Sequence, residues 1–121
     1  MRGSCKWIED DFLEVSEVMK FLESVGMSSF RGDNTAITYQ MQTSDGERVS
    51  TASIYKDILS IGVSDSRYNT SVDATVLLSI PTSMDELFYL LKRKAEDSAA
   101  NFSFEERKTL DYFLELLHLN E

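Results

Sequence analysis

Residues 35 to 54 alternate polar and apolar side chains on both sides of an Asp-Gly pair, and this pattern constrains the fold more than any other stretch of the 121-residue chain. From Thr35 to Thr43, Ile37, Tyr39 and Met41 fall on one side of an extended backbone and Thr38, Gln40 and Gln42 on the other. A two-residue period of this kind is the mark of a half-buried strand. Asp45-Gly46, between Ser44 and Glu47, suits a two-residue type I′ turn, whose central residues both take positive φ. A reversal there sets Ile37 opposite Ile54, Tyr39 opposite Ala52 and Met41 opposite Ser50. Thr38, Gln40, Thr51 and Ser53 then share the outer face, so turn chemistry and side-chain pattern specify the same hairpin.

On the N-terminal side of this hairpin, Phe12, Val15, Val18, Met19, Leu22 and Val25 recur at three- and four-residue steps from Asp11 onward, the spacing of an amphipathic helix. Gly26 ends it in the left-handed conformation, with Met27 folding back on Leu22 in a Schellman cap. Residues 28–34 read as a loop. Beyond the hairpin, Lys56-Asp57 turns the chain into a third strand at Ile58–Val63, weakened near its end by Gly62. A polar loop at Asp65–Ser71 leads to a fourth strand in which Val72, Ala74, Val76, Leu78 and Ile80 alternate with polar residues, Leu77 being the exception on the wet face. Pro81 closes it. Ser83 with Glu86, and Ser103 with Glu106, have the spacing of capping boxes and open two further helices. The second of these runs to Leu119 with Leu110, Phe113, Leu114 and Leu117 inward.

The expected architecture is therefore α+β in the order α-β-β-β-β-α-α: a four-stranded antiparallel meander with helices packed on one face. One domain is expected over residues 1–121, with residues 1–6 as a flexible leader. A content of 42% hydrophobic and 27% charged residues, with one Pro and five Gly, is that of an ordered globular chain rather than a linker.

Cys5 is the sole cysteine, which leaves no internal disulfide and points to a reducing compartment, the cytoplasm. Acids at Glu9, Asp10, Asp11, Glu14 and Glu17 interrupt any apolar signal-peptide core, and no apolar run approaches the roughly 20 residues of a membrane span. With 21 acidic against 12 basic residues, the formal charge of −9 repels nucleic-acid phosphates and anionic lipid, and attracts cationic protein surfaces.

Chemistry is sparsely provided. His118 is the only histidine, so a histidine-based metal site or a Ser-His-Asp arrangement would rest on it alone. Cys5 has only Lys6 beside it as an activating cation. The carboxylate pairs Asp10/Asp11, Asp85/Glu86 and Glu105/Glu106 fall at helix starts, where they stabilise the helix without any reaction. Phosphate-loop, dinucleotide, zinc-protease and calcium-loop patterns are all missing from the sequence. Arg31-Gly32-Asp33 and the glycosylation-type triplets at Asn69 and Asn101 read as loop residues. No catalytic residue, metal or cofactor is expected.

What remains is a surface. Glu9, Asp10, Asp11, Glu14 and Glu17 give the first helix a negative edge, and Tyr112, Leu116 and Leu119 lie outside the main stripe of the last helix, which implies either full burial or a partner. In size, charge and missing chemistry the chain is similar to phage anti-defence (anti-CRISPR-like) inhibitors and to immunity proteins that neutralise nuclease toxins. The expectation is a small acidic protein-binding module that blocks a basic surface of a partner. The alternatives are a dimeric secretion-type chaperone and a small hydrolase using a carboxylate pair such as Asp10 and Glu14, and a homodimer through the C-terminal helix is a further partner expectation.

Overall fold

A computed structural model describes residues 13–30 and 36–118 of the chain. The elements are α1 (Val15–Ser24), β1 (Ser28–Phe30), β2 (Ile37–Gln42), β3 (Arg48–Tyr55), β4 (Ile58–Asp65), β5 (Thr70–Leu77), α2 (Met84–Ser98) and α3 (Arg107–His118). The five strands form one antiparallel sheet in the order β1-β2-β3-β4-β5. The fold is α+β, with five strands where four were expected. The additional strand, β1, occupies part of the stretch expected as loop and pairs Ser28 with Gln40, Ser29 with Tyr39 and Phe30 with Thr38. Three residues, two of them serine, carry no alternation of their own, so the pairing with β2 makes the strand rather than its composition.

The hairpin register is the expected one: Ile37 faces Ile54, Tyr39 faces Ala52 and Met41 faces Ser50. The turn itself is different. Gly46 has φ +75° but Asp45 is not in the left-handed region, so the turn is not type I′. The Gly46 N–H instead donates to the Thr43 carbonyl at 2.8 Å, and the Asp45 carboxylate accepts from the Thr43 hydroxyl at 2.6 Å and the Glu47 N–H at 3.0 Å. The wider loop closes where the Thr43 N–H donates to the Arg48 carbonyl at 3.0 Å, next to the Gln42–Val49 pair, so the register survives the change of turn. Asp45 thereby satisfies local donors as an Asx-type turn residue, and those bonds, led by that from Thr43, hold its carboxyl below the usual range.

The helix ends follow local chemistry. At the end of α1 the Met27 N–H donates to the Leu22 carbonyl and the Gly26 N–H to the Glu23 carbonyl, both at 3.1 Å, with Gly26 at φ +104°. These are the paired bonds of a Schellman cap. Before α3, the Ser103 N–H donates to Glu106 at 2.8 Å and the Glu106 N–H to the Ser103 hydroxyl at 3.3 Å, a reciprocal box that precedes regular helix by one turn. At α2, Ser83 caps the Glu86 N–H, but Glu86 reaches back past it to the Thr82 N–H at 2.8 Å and to the Thr82 hydroxyl. β5 ends at Leu77, earlier than expected, where the Leu78 N–H turns to the Asp57 carbonyl at 2.7 Å.

All three helices contribute to one core against the same side of the sheet. Val18, Phe21 and Leu22 of α1, Leu87, Leu91 and Ala95 of α2, and Leu110 and Phe113 of α3 join inward residues of β2 to β5, among them Tyr39, Leu59, Ile61 and Val72. Phe21 and Phe88 lock α1 to α2, their ring centroids 4.8 Å apart. No helix among the described residues is long and apolar enough to cross a membrane.

Candidate functional site

Because the helices take one side of the sheet, the strict alternation along β2 to β5 turns every second side chain to solvent on the other. The register stacks these outward residues in rows across the strands. Tyr55, Ile58 and Leu77 form an apolar row at one end, followed by Thr38-Ser53-Ser60-Thr75, then Gln40-Thr51-Gly62-Asp73, then Gln42-Val49-Ser64-Ser71. Within the second row the Ser60 and Thr75 hydroxyls are 3.2 Å apart and hydrogen bonded. The face is hollowed into a trough of about 480 Å³ centred on β3, β4 and β5.

The apolar row is wet, with Tyr55 39%, Ile58 37% and Leu77 45% exposed. The helix-side hydrophobic residues of β3 to β5 are 5% exposed or less, so three adjacent large side chains left outside on these strands form a contiguous apolar strip. The Lys56 ammonium stands 5.3 Å from the centre of the Tyr55 ring, at the rim. Asp73 is the sole charged residue among the outward positions of β2 to β5.

One end of the sheet is braced by an ion cluster. Asp65, 1% exposed, accepts two bonds from the Arg67 side chain at 3.0 and 2.7 Å and a third from the Arg67 N–H at 3.0 Å. Arg67 also reaches Glu47 at 3.4 Å. The bonds from Arg67 hold the Asp65 carboxyl below its ordinary range, and Asp65 in turn raises the Arg67 guanidinium. The cluster ties the β2–β3 loop to the β4–β5 loop and keeps the end of the trough in shape.

The residues expected to meet a partner are dispersed. Glu9, Asp10, Asp11 and Leu119 lie outside the described residues, as do the leader, Arg31-Gly32-Asp33 and the Asp10 half of the carboxylate pair. Glu14 and Glu17 are exposed at the start of α1, the Glu14 N–H donating to Glu17 at 3.5 Å. Tyr112 is half-buried under the Arg48 guanidinium, 4.6 Å above its ring, with its hydroxyl 3.5 Å from Ser50. Leu116 is a correction to the surface expectation: at 3% exposed it belongs to the core, because α3 packs both on α2 and on β4 and β5 and buries a wider arc than one stripe. Beside it, a smaller groove of about 260 Å³ between α2 and α3 is lined by Phe88, Leu114, Leu117 and His118. Among the described residues no group of three or more His, Cys, Asp or Glu side chains converges as a metal site.

The polar sheet face was legible as a surface, but its members Tyr55, Ile58 and Gly62 were not. The signal was available in register arithmetic: a tight turn at Lys56-Asp57 makes Tyr55 and Ile58 direct neighbours, and the next pairing adds Leu77. Comparison with protein-family models, curated proteins and solved structures finds no match for this chain.

Proposed function

We propose that this chain is a small acidic protein-binding module, an inhibitor or antidote that covers a basic, nucleic-acid-binding surface of a partner protein, as phage anti-defence and immunity proteins do. The observation that carries the reading is the uncovered sheet face, with an exposed apolar row, a hollow floor of small hydroxyl side chains and a lone carboxylate. An apolar strip beside polar rows is the composition of a docking surface, whereas an antiparallel sheet that merely faces water alternates cleanly. The net charge of −9 selects cationic partners and accelerates encounter with them. Glu14 and Glu17, exposed at the start of α1, add negative charge away from the sheet, and Glu9, Asp10 and Asp11 precede them in sequence.

The chaperone reading rests on small size, acidity and α+β content, and the direct succession of α2 and α3 departs from the element order usual in such chaperones. The hydrolase reading needs carboxylates converging in a cleft, and Glu14 stands exposed at a helix start. Affinity capture from the native host with mass spectrometry supplies the partner, and a titration from about 50 to about 500 mM salt tests the mechanism. Affinity is expected to fall steeply across that range. A captured partner bound equally well at both ends would reject the acidic-inhibitor reading.

A further inference from the structure

Gly62 sits in the middle of the open face, in an unbroken ladder opposite Thr51 on one side and Asp73 on the other. Its φ is not in the left-handed region, so the backbone does not demand glycine. A Cβ built there would stand 3.4 Å from the Asp73 Cβ, at the tight end of ordinary contact, so packing does not exclude a side chain either. Glycine inside a strand costs stability and marks places where another molecule comes close to the backbone. Here it leaves the trough floor bare directly beside Asp73, the one outward carboxylate of β2 to β5. Thr51, Ser53, Ser60 and Ser64 surround that gap with small side chains, enough for a helix about 10 Å wide to settle against the sheet.

Asp73 and Leu77 are four residues apart on β5, about 13 Å along the strand. Eight residues of α-helix, just over two turns, rise about 12 Å. We propose that this face seats a basic amphipathic helix of the partner protein, its aliphatic side chains on Tyr55, Ile58 and Leu77 and a Lys or Arg two turns away entering the slot over Gly62 to pair with Asp73. The inference rests on the protein-binding reading and names the element that the partner contributes. Charge sets the direction of the helix's pattern: Lys56 stands at the apolar end and Asp73 two rows away from it, so the partner's cations belong over β4–β5 beside Gly62. β3, β4 and β5, eight residues each, lie at about 4.8 Å spacing and make a platform about 26 Å long, the span of a helix of about 18 residues.

The test titrates the isotope-labelled full chain with a synthetic helix of about 18 residues, Leu on one face of its first half and Lys on the same face of its second. Amide shifts are expected at Tyr55, Ile58, Gly62, Asp73 and Leu77. A control peptide with Ser in place of Leu is expected to bind about tenfold more weakly. Gly62→Val is expected to leave thermal stability equal or higher, since a β-branched residue favours the strand, while reducing affinity at least about tenfold. Asp73→Asn is expected to lower affinity and flatten its salt dependence. Undiminished binding by a folded Gly62→Val variant, or equal binding of the Ser control, would overturn the site. Shifts confined to Glu14, Glu17 and the rest of α1 would also overturn it, yet leave the protein-binding reading standing; that reading falls on the salt titration of the captured partner instead.

Discussion

Asp65 is the residue on which the end of the sheet turns. Its carboxylate is nearly out of water and is satisfied by three donors of Arg67, an arrangement in which removing the charge strands the guanidinium's bonds. Asp65→Asn is expected to cost about 2–3 kcal/mol at neutral pH, measured by urea unfolding. Because the folded-state pKa is depressed, this stability is fully present above the unfolded value of about 3.9 and is lost as pH falls through the folded one. The wild type should therefore lose stability on acidification below about pH 4 more steeply than the Asn variant, whose curve lacks this group's contribution. Thr109 is the opposite case. It is fully buried in α3 with a hydroxyl that finds no partner among the described residues. Thr109→Val keeps the shape and removes the unpaired group, and should raise stability by about 1 kcal/mol in the same assay.

At the scale of elements, the parts readable from sequence were those determined by residues close together in the chain. The Gly26 cap and the Ser103–Glu106 box are local reciprocal bonds, and both form as their spacing implies. Gly26→Ala is expected to lower stability by about 1 kcal/mol or more, since a Cβ is strained at φ +104°; thermal unfolding measures it. The hairpin register was legible because a face pattern with period two tolerates only even changes of loop length. Its turn type was not, since Asp45 could either adopt positive φ or bind Thr43 and Glu47, and the second prevailed. Elements made by distant partners left little trace: β1 exists through β2, and Leu116 is buried because α3 has neighbours on two sides. Of the candidate site, Leu77 was visible as an apolar residue on the wrong face, while the row that gives it meaning required three strands to be aligned.

For the molecule as a whole, charge and shape are divided between surfaces. The sheet's open face carries apolar and hydroxyl side chains with one acid, and the start of α1 carries the acidic cluster. Replacing Glu9, Asp10, Asp11, Glu14 and Glu17 by Lys is expected to leave the circular dichroism spectrum unchanged and abolish capture of the partner; retained affinity would confine recognition to the sheet. The meander has a kinetic consequence as well. Each strand is hydrogen bonded only to its neighbours in sequence, so the sheet closes through short loops and none of its pairings waits for a remote segment. Strands can thus zip in order as the polypeptide emerges from the ribosome, but their inner side stays wet until α2 and α3, synthesised after them, arrive to cover it.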